Sequence, residues 1–283
     1  LIHVDADESV LGRNYAADLP VCADAAAFVP DLLDKLSTRE IDRDLREAIR
    51  VGHADLQRSS PAVDGDGVSP GRLLAALQDV YGPDTVYTTD SGNGTFLAME
   101  GLRLRRPRSF LAPVDYSCMG YAVPAALGAA LACPDRRVVA LAGDGAFLMT
   151  GLELLTASAL DLPVTVLVLR DGELAQIAQF QQTALARKTA SQLPSFSLWD
   201  MCRALGVEYL RLACDTEIVS VLTRAREVHD HHRPALLEVE IDYSQPTFFT
   251  RGVVLTNLGR LPWPDRLRFV ARAAARRLPG RDV

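Results

Sequence analysis

Two apolar segments, each followed by an aspartate beside a glycine, constrain the fold of this chain more than any other feature. Residues 138–142 lead into a Gly-Asp-Gly triplet at 143–145, and residues 164–169 lead to Asp171. A helix-like segment, 151–160, lies between them, so the stretch has the pattern of one strand-helix-strand crossover unit. Such crossovers make neighbouring strands parallel, with their carboxyl ends at one edge of the sheet. The pattern therefore predicts that the two aspartates meet at that edge.

The two aspartates have the chemistry of a site for a divalent cation and an anion. Asp144 and Asp171 are 27 residues apart (171 minus 144). Carboxylate and carbonyl oxygens suit a hard cation that keeps coordination positions for phosphate oxygens. Gly143 and Gly145 allow close backbone approach, and amides at the start of the next helix favour an anion. The triplet alone is weak evidence, because Asp and Gly are common in turns; in a crossover unit it predicts a site for magnesium and a diphosphate.

The triplet and its spacing resemble a motif of the thiamine diphosphate-dependent enzymes of the acetolactate synthase and pyruvate decarboxylase type. The family motif is Gly-Asp-Gly, a stretch of about this length and then Asn. Asp171 stands at the Asn position, as it does in catabolic acetolactate synthases. The resemblance implies that the side chains of Asp144 and Asp171 bind Mg²⁺ and that Glu173 binds it through its backbone carbonyl. It also implies contacts with thiamine diphosphate, made by Gly143, Gly145 and Ala146.

Upstream segments extend the resemblance, which covers the chain from its opening strand to about residue 241. A loop at 89–94 follows a short apolar strand. In similar enzymes this loop lies against the diphosphate, which implies contacts from Ser91, Gly92, Asn93 and Gly94. Residues 106–108 and 119–126 resemble the acetolactate synthase pattern in order and spacing. The family places a bulky apolar residue at the position of Met119, between the two rings of the cofactor, which keeps the cofactor bent. An ordinary core methionine at a helix start is the alternative.

Segment 113–118 departs from the glycine-rich loop that acetolactate synthases usually have before this methionine. Its side chains are expected to narrow the region around the thiazolium ring and to reshape the substrate pocket. Cys118 is interpreted as a small buried residue and not as a nucleophile, because no His lies near it in sequence to activate it.

A glutamine-rich segment after Asp171 is a candidate for substrate contact. Residues 174–182 carry four Gln, and in similar enzymes this region lines or closes the active site. Gln179 is predicted to contact the substrate, and a solvated helix face is the alternative. Three His at 229, 231 and 232 end a polar helix, where His commonly caps a C-terminus, so a metal role for them is disfavoured.

Composition excludes several classes of function. Of the 283 residues, 48% are apolar, which allows a substantial core. The net charge of -6 argues against general nucleic-acid binding. No apolar run reaches the roughly 20 residues of a membrane span, so no membrane association is expected. Five cysteines without metal-ligand spacing fit a reducing cytoplasm.

The alternation of helices and strands predicts an α/β fold. The expected architecture is a parallel sheet with helices on both faces, the thiamine diphosphate-binding fold, preceded by the remnant of a central domain. Predicted strands are 85–89, 138–142, 164–169, 207–212 and 235–241. Other predicted elements are a loop at 18–23, helices at 25–36 (kinked or restarted at Pro30), 39–57, 70–81 and 264–277, and a linker at 59–67.

The predicted domain organisation follows from these elements. Residues 1–37 are read as the end of a central domain, 38–68 as a helix and linker, 69–246 as the diphosphate- and metal-binding domain, and 247–283 as a C-terminal tail. The abrupt opening predicts the C-terminal part of a longer protein, or one half of a split enzyme.

The resemblance implies decarboxylation or carboligation, or both, of a 2-oxo acid with thiamine diphosphate and Mg²⁺. Family enzymes take an activating Glu from a separate pyrimidine-binding domain, usually on a neighbouring subunit of an oligomer. The chain alone is therefore expected to hold the diphosphate and the metal but not to catalyse. The alternative is a non-catalytic scaffold or regulatory homologue of the same fold. A nucleotide-binding module is a weaker hypothesis, because no Gly-rich loop ending in Lys-Ser or Lys-Thr is present.

Overall fold

The computed structural model describes residues 1–37, 40–58, 67–244 and 253–277, which form eight strands and twelve α-helices. By compactness the chain divides into two units, Leu1–Gly52 and His53–Val283. In the first unit, strand β1 (Ile2–Asp5) pairs in parallel with β2 (Leu19–Cys22), and helix α1 (Ala25–Lys35) follows. Helix α2 (Arg43–Arg58) begins in the first unit and ends in the second.

The second unit contains the remaining six strands and ten helices of the described residues. The strands are β3 (Val86–Thr89), β4 (Phe110–Leu111), β5 (Val138–Gly143), β6 (Val164–Arg170), β7 (Glu208–Leu212) and β8 (Ala235–Glu240). The helices are α3 (Pro70–Tyr81), α4 (Asn93–Gly101), α5 (Ala122–Ala132), α6 (Asp144–Thr150), α7 (Leu154–Ala159), α8 (Ala175–Leu185), α9 (Leu198–Leu205), α10 (Ile218–Asp230), α11 (Val253–Arg260) and α12 (Trp263–Ala275). No helix among the described residues is long and apolar enough to cross a membrane.

The six strands form one sheet in the order β4-β3-β5-β6-β8-β7, and every neighbouring pair is parallel. Side chains along each strand alternate between two hydrophobic clusters. In β5, for example, Val138 and Ala140 belong to one cluster, and Val139 and Leu141 belong to the other. Helices α5, α6, α7 and α9 supply the first cluster, and α3, α4 and α10 supply the second. The predicted α/β fold with a parallel sheet covered on both faces is confirmed.

The connections of the first three strands of this sheet create a switch point. From β3 the chain runs through α4 to β4 on one side, and then through α5 to β5 on the other side of β3. In an open parallel sheet such a reversal leaves a crevice outside the carboxyl ends of the two central strands, where ligands bind. The loops after β3 and β5 border this crevice.

Several predicted elements differ from the observed ones. The predicted loop 18–23 contains strand β2, because Pro20 is compatible with a strand that has a partner on one side only. Helix α1 continues through Pro30. A proline removes one helical hydrogen bond, and the remaining bonds of α1 span it. Strand β4 was not predicted. Residues 38–39, residues 59–66 of the predicted linker (59–67), residues 245–246, and residues 247–252 and 278–283 of the predicted tail (247–283) lie outside the described residues, and the domain boundaries stay predictions.

Candidate functional site

Three loops meet at the carboxyl edge of the sheet, after β3, β5 and β6. The register pairs Gly143, the last residue of β5, with Leu169 near the end of β6. The segments that follow these two strands therefore start at nearly the same level. This register places Asp144 and Asp171 side by side at one edge.

Asp144 is the first residue of α6 and is 1% exposed. Its Oδ1 accepts a hydrogen bond from the Gly145 amide at 2.8 Å, and its Oδ2 accepts one from the Gly172 amide at 2.8 Å. The second bond ties the β5 loop to the β6 loop. Burial raises the pKa of Asp144, while the backbone bonds and the charge of Arg170 oppose the rise. The carboxylate is thus held in one orientation and lacks full compensation of its charge.

Asp171 carries the second carboxylate of this edge. Burial of its carboxyl group raises its pKa to about 7, with a further contribution from the charge of Asp144. Because the residue as a whole is exposed, solvent screening limits the free energy that this shift represents. Two neighbouring carboxylates disfavour each other's ionised form, and a cation placed with them relieves that repulsion. The pair has the donor set that a hard divalent cation prefers.

Glu173 uses its side chain outside the carboxylate pair. Lys188 Nζ donates to both carboxylate oxygens of Glu173, at 2.8 and 2.6 Å. Glu173 also forms an antiparallel bridge with Gln192, whose two hydrogen bonds use the Leu174 amide and the Gly172 carbonyl. Neither bond engages the backbone carbonyl of Glu173. The predicted role of that carbonyl as a metal ligand stays a prediction.

The loop after β3 offers polar groups at the other side of the crevice. Gly92 precedes α4 with φ of +107°, a conformation that favours glycine, and no side chain caps the helix start. Asn93 is 7% exposed, and its Oδ1 has no hydrogen-bond partner. Buried polar atoms rarely stay unpaired, so these groups fit a polar ligand. Uncapped amides at a helix start fit an anion.

Met119 lies half-buried between two residues with positive φ, Ser117 at 53° and Gly120 at 84°. The Ser117 hydroxyl shares a hydrogen bond of 3.0 Å with the Ser91 hydroxyl, which joins the β3 loop to the segment before α5. The prediction that Cys118 is buried is wrong, because Cys118 is exposed. The turn at 114–116 ends at Ser117, whose amide donates to the Pro113 carbonyl at 2.6 Å, and Cys118 follows it.

Sequence reasoning gave no role to two residues that organise this edge. Asp90 is 2% exposed, follows β3 directly, and accepts hydrogen bonds from four backbone amides. An acidic residue directly after an apolar strand was the available signal for it. Lys188 lies in a loop, 15 residues after Glu173 in the sequence, so no local pattern could have revealed their ion pair.

The remaining candidates lie apart from the carboxylate pair or are not tested by the structure. Gln179 lies within α8 and is exposed, so its contact with a substrate stays a prediction.

His229 is buried, and its Nε2 accepts a hydrogen bond from the Val138 amide at 3.3 Å. Burial lowers the pKa of His229 to about 4, so its ring is neutral. Within the described ranges, no group of three or more His, Cys, Asp or Glu side chains could hold a metal ion.

An open cleft of about 740 Å³ lies beside this edge and shares Asp171 with it. The cleft is lined by Arg170 and Glu238, which form an ion pair, and by Arg211 and Glu240, which form another. These charges already neutralise each other. We therefore place the candidate site at the switch point and not in the cleft.

The raised pKa of Asp171 leads to a pH-dependence prediction. Mn²⁺ serves as a probe, because it shares the preference of Mg²⁺ for oxygen ligands. A proton on Asp171 competes with a cation bound by Asp144 and Asp171. We therefore expect the affinity of the chain for Mn²⁺ to rise with pH until about pH 7 and then to level off. An Asp171→Asn variant keeps an amide oxygen at this position, so it should bind Mn²⁺ more weakly than the wild type at pH 8.5 and lose this rise. Electron paramagnetic resonance of Mn²⁺ titrations without any phosphate ligand measures the effect. A wild-type affinity that is constant from pH 5.5 to 8.5 would contradict it.

Comparison with known proteins gives matches over most of the chain. Residues 90–239 match the family described as "Thiamine pyrophosphate enzyme, C-terminal TPP binding domain". An acetolactate synthase of Mycobacterium leprae is 30% identical over 253 residues, which are 84% of this chain and 40% of that protein. A probable acetolactate synthase large subunit of Methanocaldococcus jannaschii is 30% identical over 254 residues, 86% of this chain and 42% of that protein. The chain thus spans about two fifths of the length of these curated relatives.

Proposed function

We propose that this chain, which belongs to the thiamine diphosphate-dependent enzymes of the acetolactate synthase type, holds Mg²⁺ and the diphosphate of that cofactor at the switch point and supports decarboxylation or carboligation of a 2-oxo acid. The observation that carries the proposal is the pairing of Asp144 and Asp171 at one edge of the sheet, where burial and, after it, the charge of Asp144 raise the pKa of Asp171. Such a pair is expected where a divalent cation binds.

In this proposal the residues at the crevice divide into two groups. Asp144, Asp171 and the carbonyl of Glu173 bind Mg²⁺. The diphosphate contacts are assigned to the two glycine-containing loops, with Ser91, Gly92, Asn93 and Gly94 on one and Gly143, Gly145 and Ala146 on the other. The unpaired Asn93 Oδ1 and the uncapped start of α4 support this division. Gly143 supports it as well. A Cβ added to Gly143 would meet no atom within 4 Å, so the space beside its backbone is open to a ligand.

The protein's part in the reaction is positioning. Bound thiamine diphosphate would supply the nucleophilic carbon and the electron sink that loss of carbon dioxide from a 2-oxo acid needs. Met119 is assigned to hold the cofactor rings in a bent arrangement, and Gln179 is assigned to substrate contact. Segment 113–118, tied to the β3 loop through Ser117 and Ser91, is assigned to one wall of the substrate pocket.

An apolar surface on the helices after the Gly-Asp-Gly triplet supports a partner domain. Four large apolar side chains that are 40% to 69% exposed lie at helical spacing along α6, the following turn and α7, namely Leu148, Met149, Leu152 and Leu155. Clusters of this kind mark interaction surfaces more often than free surface. We assign this surface to contact with a pyrimidine-binding domain or subunit within an oligomer. The five free cysteines support a reducing compartment, the cytoplasm.

The isolated 283-residue chain is expected to bind but not to turn over. Calorimetry should show binding of thiamine diphosphate that requires Mg²⁺, while incubation with a panel of 2-oxo acids should release no carbon dioxide above the rate without protein. The reason is that the activating Glu of the family belongs to the pyrimidine-binding domain. Carbon dioxide release by the purified chain would contradict the need for a partner.

A second outcome of the same calorimetry decides between catalysis and the alternative hypothesis. A non-catalytic scaffold or regulatory homologue with a degenerate site should show no metal-dependent binding. That result would overturn the proposed function, because Asp144 and Asp171 would then not bind the Mg²⁺ assigned to them.

A further inference from the structure

Asp90 connects the two segments that border the crevice on the β3 side. Its Oδ1 accepts hydrogen bonds from the amides of Ser91 at 3.1 Å, Gly120 at 2.7 Å and Tyr121 at 3.3 Å. Its Oδ2 accepts the amide of Ala122 at 3.0 Å. The carboxylate is 2% exposed. The buried carboxylate of Asp90 therefore fixes both the loop before α4 and the start of α5.

The backbone amides that donate to Asp90 begin at Gly120, one residue after Met119. Gly120, which follows Met119, donates the shortest of them, and its own carbonyl accepts the Thr150 hydroxyl at 3.2 Å. Gly120 has φ of 84°, and a Cβ there would lie 3.0 Å from Thr150 Cγ2. The backbone after Met119 is thus held from two sides. The Ser117–Ser91 hydrogen bond holds the backbone before it.

We propose that Asp90 is a positioning residue that sets the place of Met119 relative to the β3 loop across the switch point. The inference rests on the proposed function, in which Met119 supports the cofactor rings. Hydrogen bonds to an ionised acceptor are stronger than neutral ones, and the start of α5 adds its own positive potential. Three such bonds, from the amides of residues 120–122 to one carboxylate, restrict that segment more than a single helix cap does. Asp90 itself needs no contact with the cofactor.

An Asp90→Asn variant tests the proposal without any ligand. The chain contains four methionines, so a sample labelled with ¹³C at the methionine methyl groups gives four NMR signals, and Met119→Leu identifies the signal of Met119. We expect the Met119 signal to shift or broaden in Asp90→Asn, because the amide nitrogen cannot accept from Ala122. The signals of Met99 and Met201 should stay in place.

A matched control separates positioning from general loosening of the fold. Tyr81→Phe removes another buried hydrogen bond, from the Tyr81 hydroxyl to Thr165 at 2.9 Å, and should leave the Met119 signal unchanged. An unchanged Met119 signal in Asp90→Asn, or equal changes at Met99, Met119 and Met201, would overturn the proposal. If Asp90→Asn does not fold, Gly120→Ala keeps Asp90 and displaces the same backbone. The proposal then requires the Met119 change in that variant.

Calorimetry with two ligands connects the position of Met119 to the cofactor. Thiamine diphosphate carries the rings and inorganic pyrophosphate does not, and each is titrated with Mg²⁺ present. We expect Asp90→Asn to weaken thiamine diphosphate binding about tenfold more than pyrophosphate binding, because both ligands share the contacts of the β3 loop that Ser91 joins to Asp90 and only the first carries the rings. Equal losses for both ligands would overturn the proposal. If wild-type protein binds neither, the proposed function fails, and the NMR result still decides the role of Asp90.

Discussion

Replacing Asp144 by Asn is expected to weaken Mg²⁺-dependent binding of thiamine diphosphate by about a hundredfold or more, because it removes one of two carboxylates from a buried charged site. The Asn amide would also face the Gly145 or Gly172 amide, each of which now donates to a carboxylate oxygen. The unliganded chain should lose little stability above neutral pH. Burial raises the pKa of Asp144, so its ionised form is disfavoured in the folded chain once the pH exceeds the unfolded value.

Calorimetry with Mg²⁺ and thiamine diphosphate measures this loss, and Asp135→Asn is the matched control. Asp135 is exposed and precedes β5, whereas Asp144 follows it, so the same charge change is made at the opposite end of one strand. The control should bind as the wild type does. Equal affinities of the Asp144 and Asp135 variants would refute the assignment of Asp144 as a metal ligand.

Replacing Phe147 by Ala is expected to lower the free energy of unfolding by about 3 to 5 kcal/mol. Phe147 is fully buried in the cluster between the sheet and α5, and its ring atoms lie 2.5 to 2.8 Å from where a Cβ on Gly151 would be. The surrounding backbone is therefore fitted to this ring. Because Phe147 anchors α6, which begins at Asp144, we also expect weaker Mg²⁺-dependent binding of the cofactor.

Denaturant unfolding followed by circular dichroism measures the stability change, with Leu148→Ala as the control. Leu148 is the next residue of the same helix and is 40% exposed. Its truncation should change the free energy of unfolding by less than about 1 kcal/mol. Similar losses in the two variants would show that Phe147 is not the anchor of α6.

The sequence predicted the central strands well because their pattern does not depend on distant partners. Strand β5 is a continuous apolar run, and β6 and β8 are mostly apolar; a strand buried on both faces of a parallel sheet has that composition wherever it occurs. Strand β4 has only two residues, Phe110 and Leu111, and exists because β3 lies beside it. Strand β2 was hidden by Asp18 and Pro20, which are typical of loops.

The candidate site was predictable where its residues follow a strand directly and unpredictable where they depend on long-range contacts. Asp144 and Asp171 follow β5 and β6, so topology alone placed them at one edge. Asp90 also follows a strand directly, which made it recognisable as a candidate, but its bonds to amides at 120–122, about 30 residues away, are encoded by no local pattern. Cys118 is exposed and follows Ser117, whose positive φ is rare outside glycine and is not encoded by a local sequence pattern.

The two borders of the six-stranded sheet limit how this unit can assemble. Strand β4 offers two residues for pairing, and β7 carries Glu208 and Arg211, whose charged groups are engaged with Arg233 and Glu240. Short and charged outer strands resist the addition of a strand from another chain. Growth by sheet extension is therefore disfavoured at both sides, which agrees with the proposal that a partner attaches through the helical surface formed by Leu148, Met149, Leu152 and Leu155.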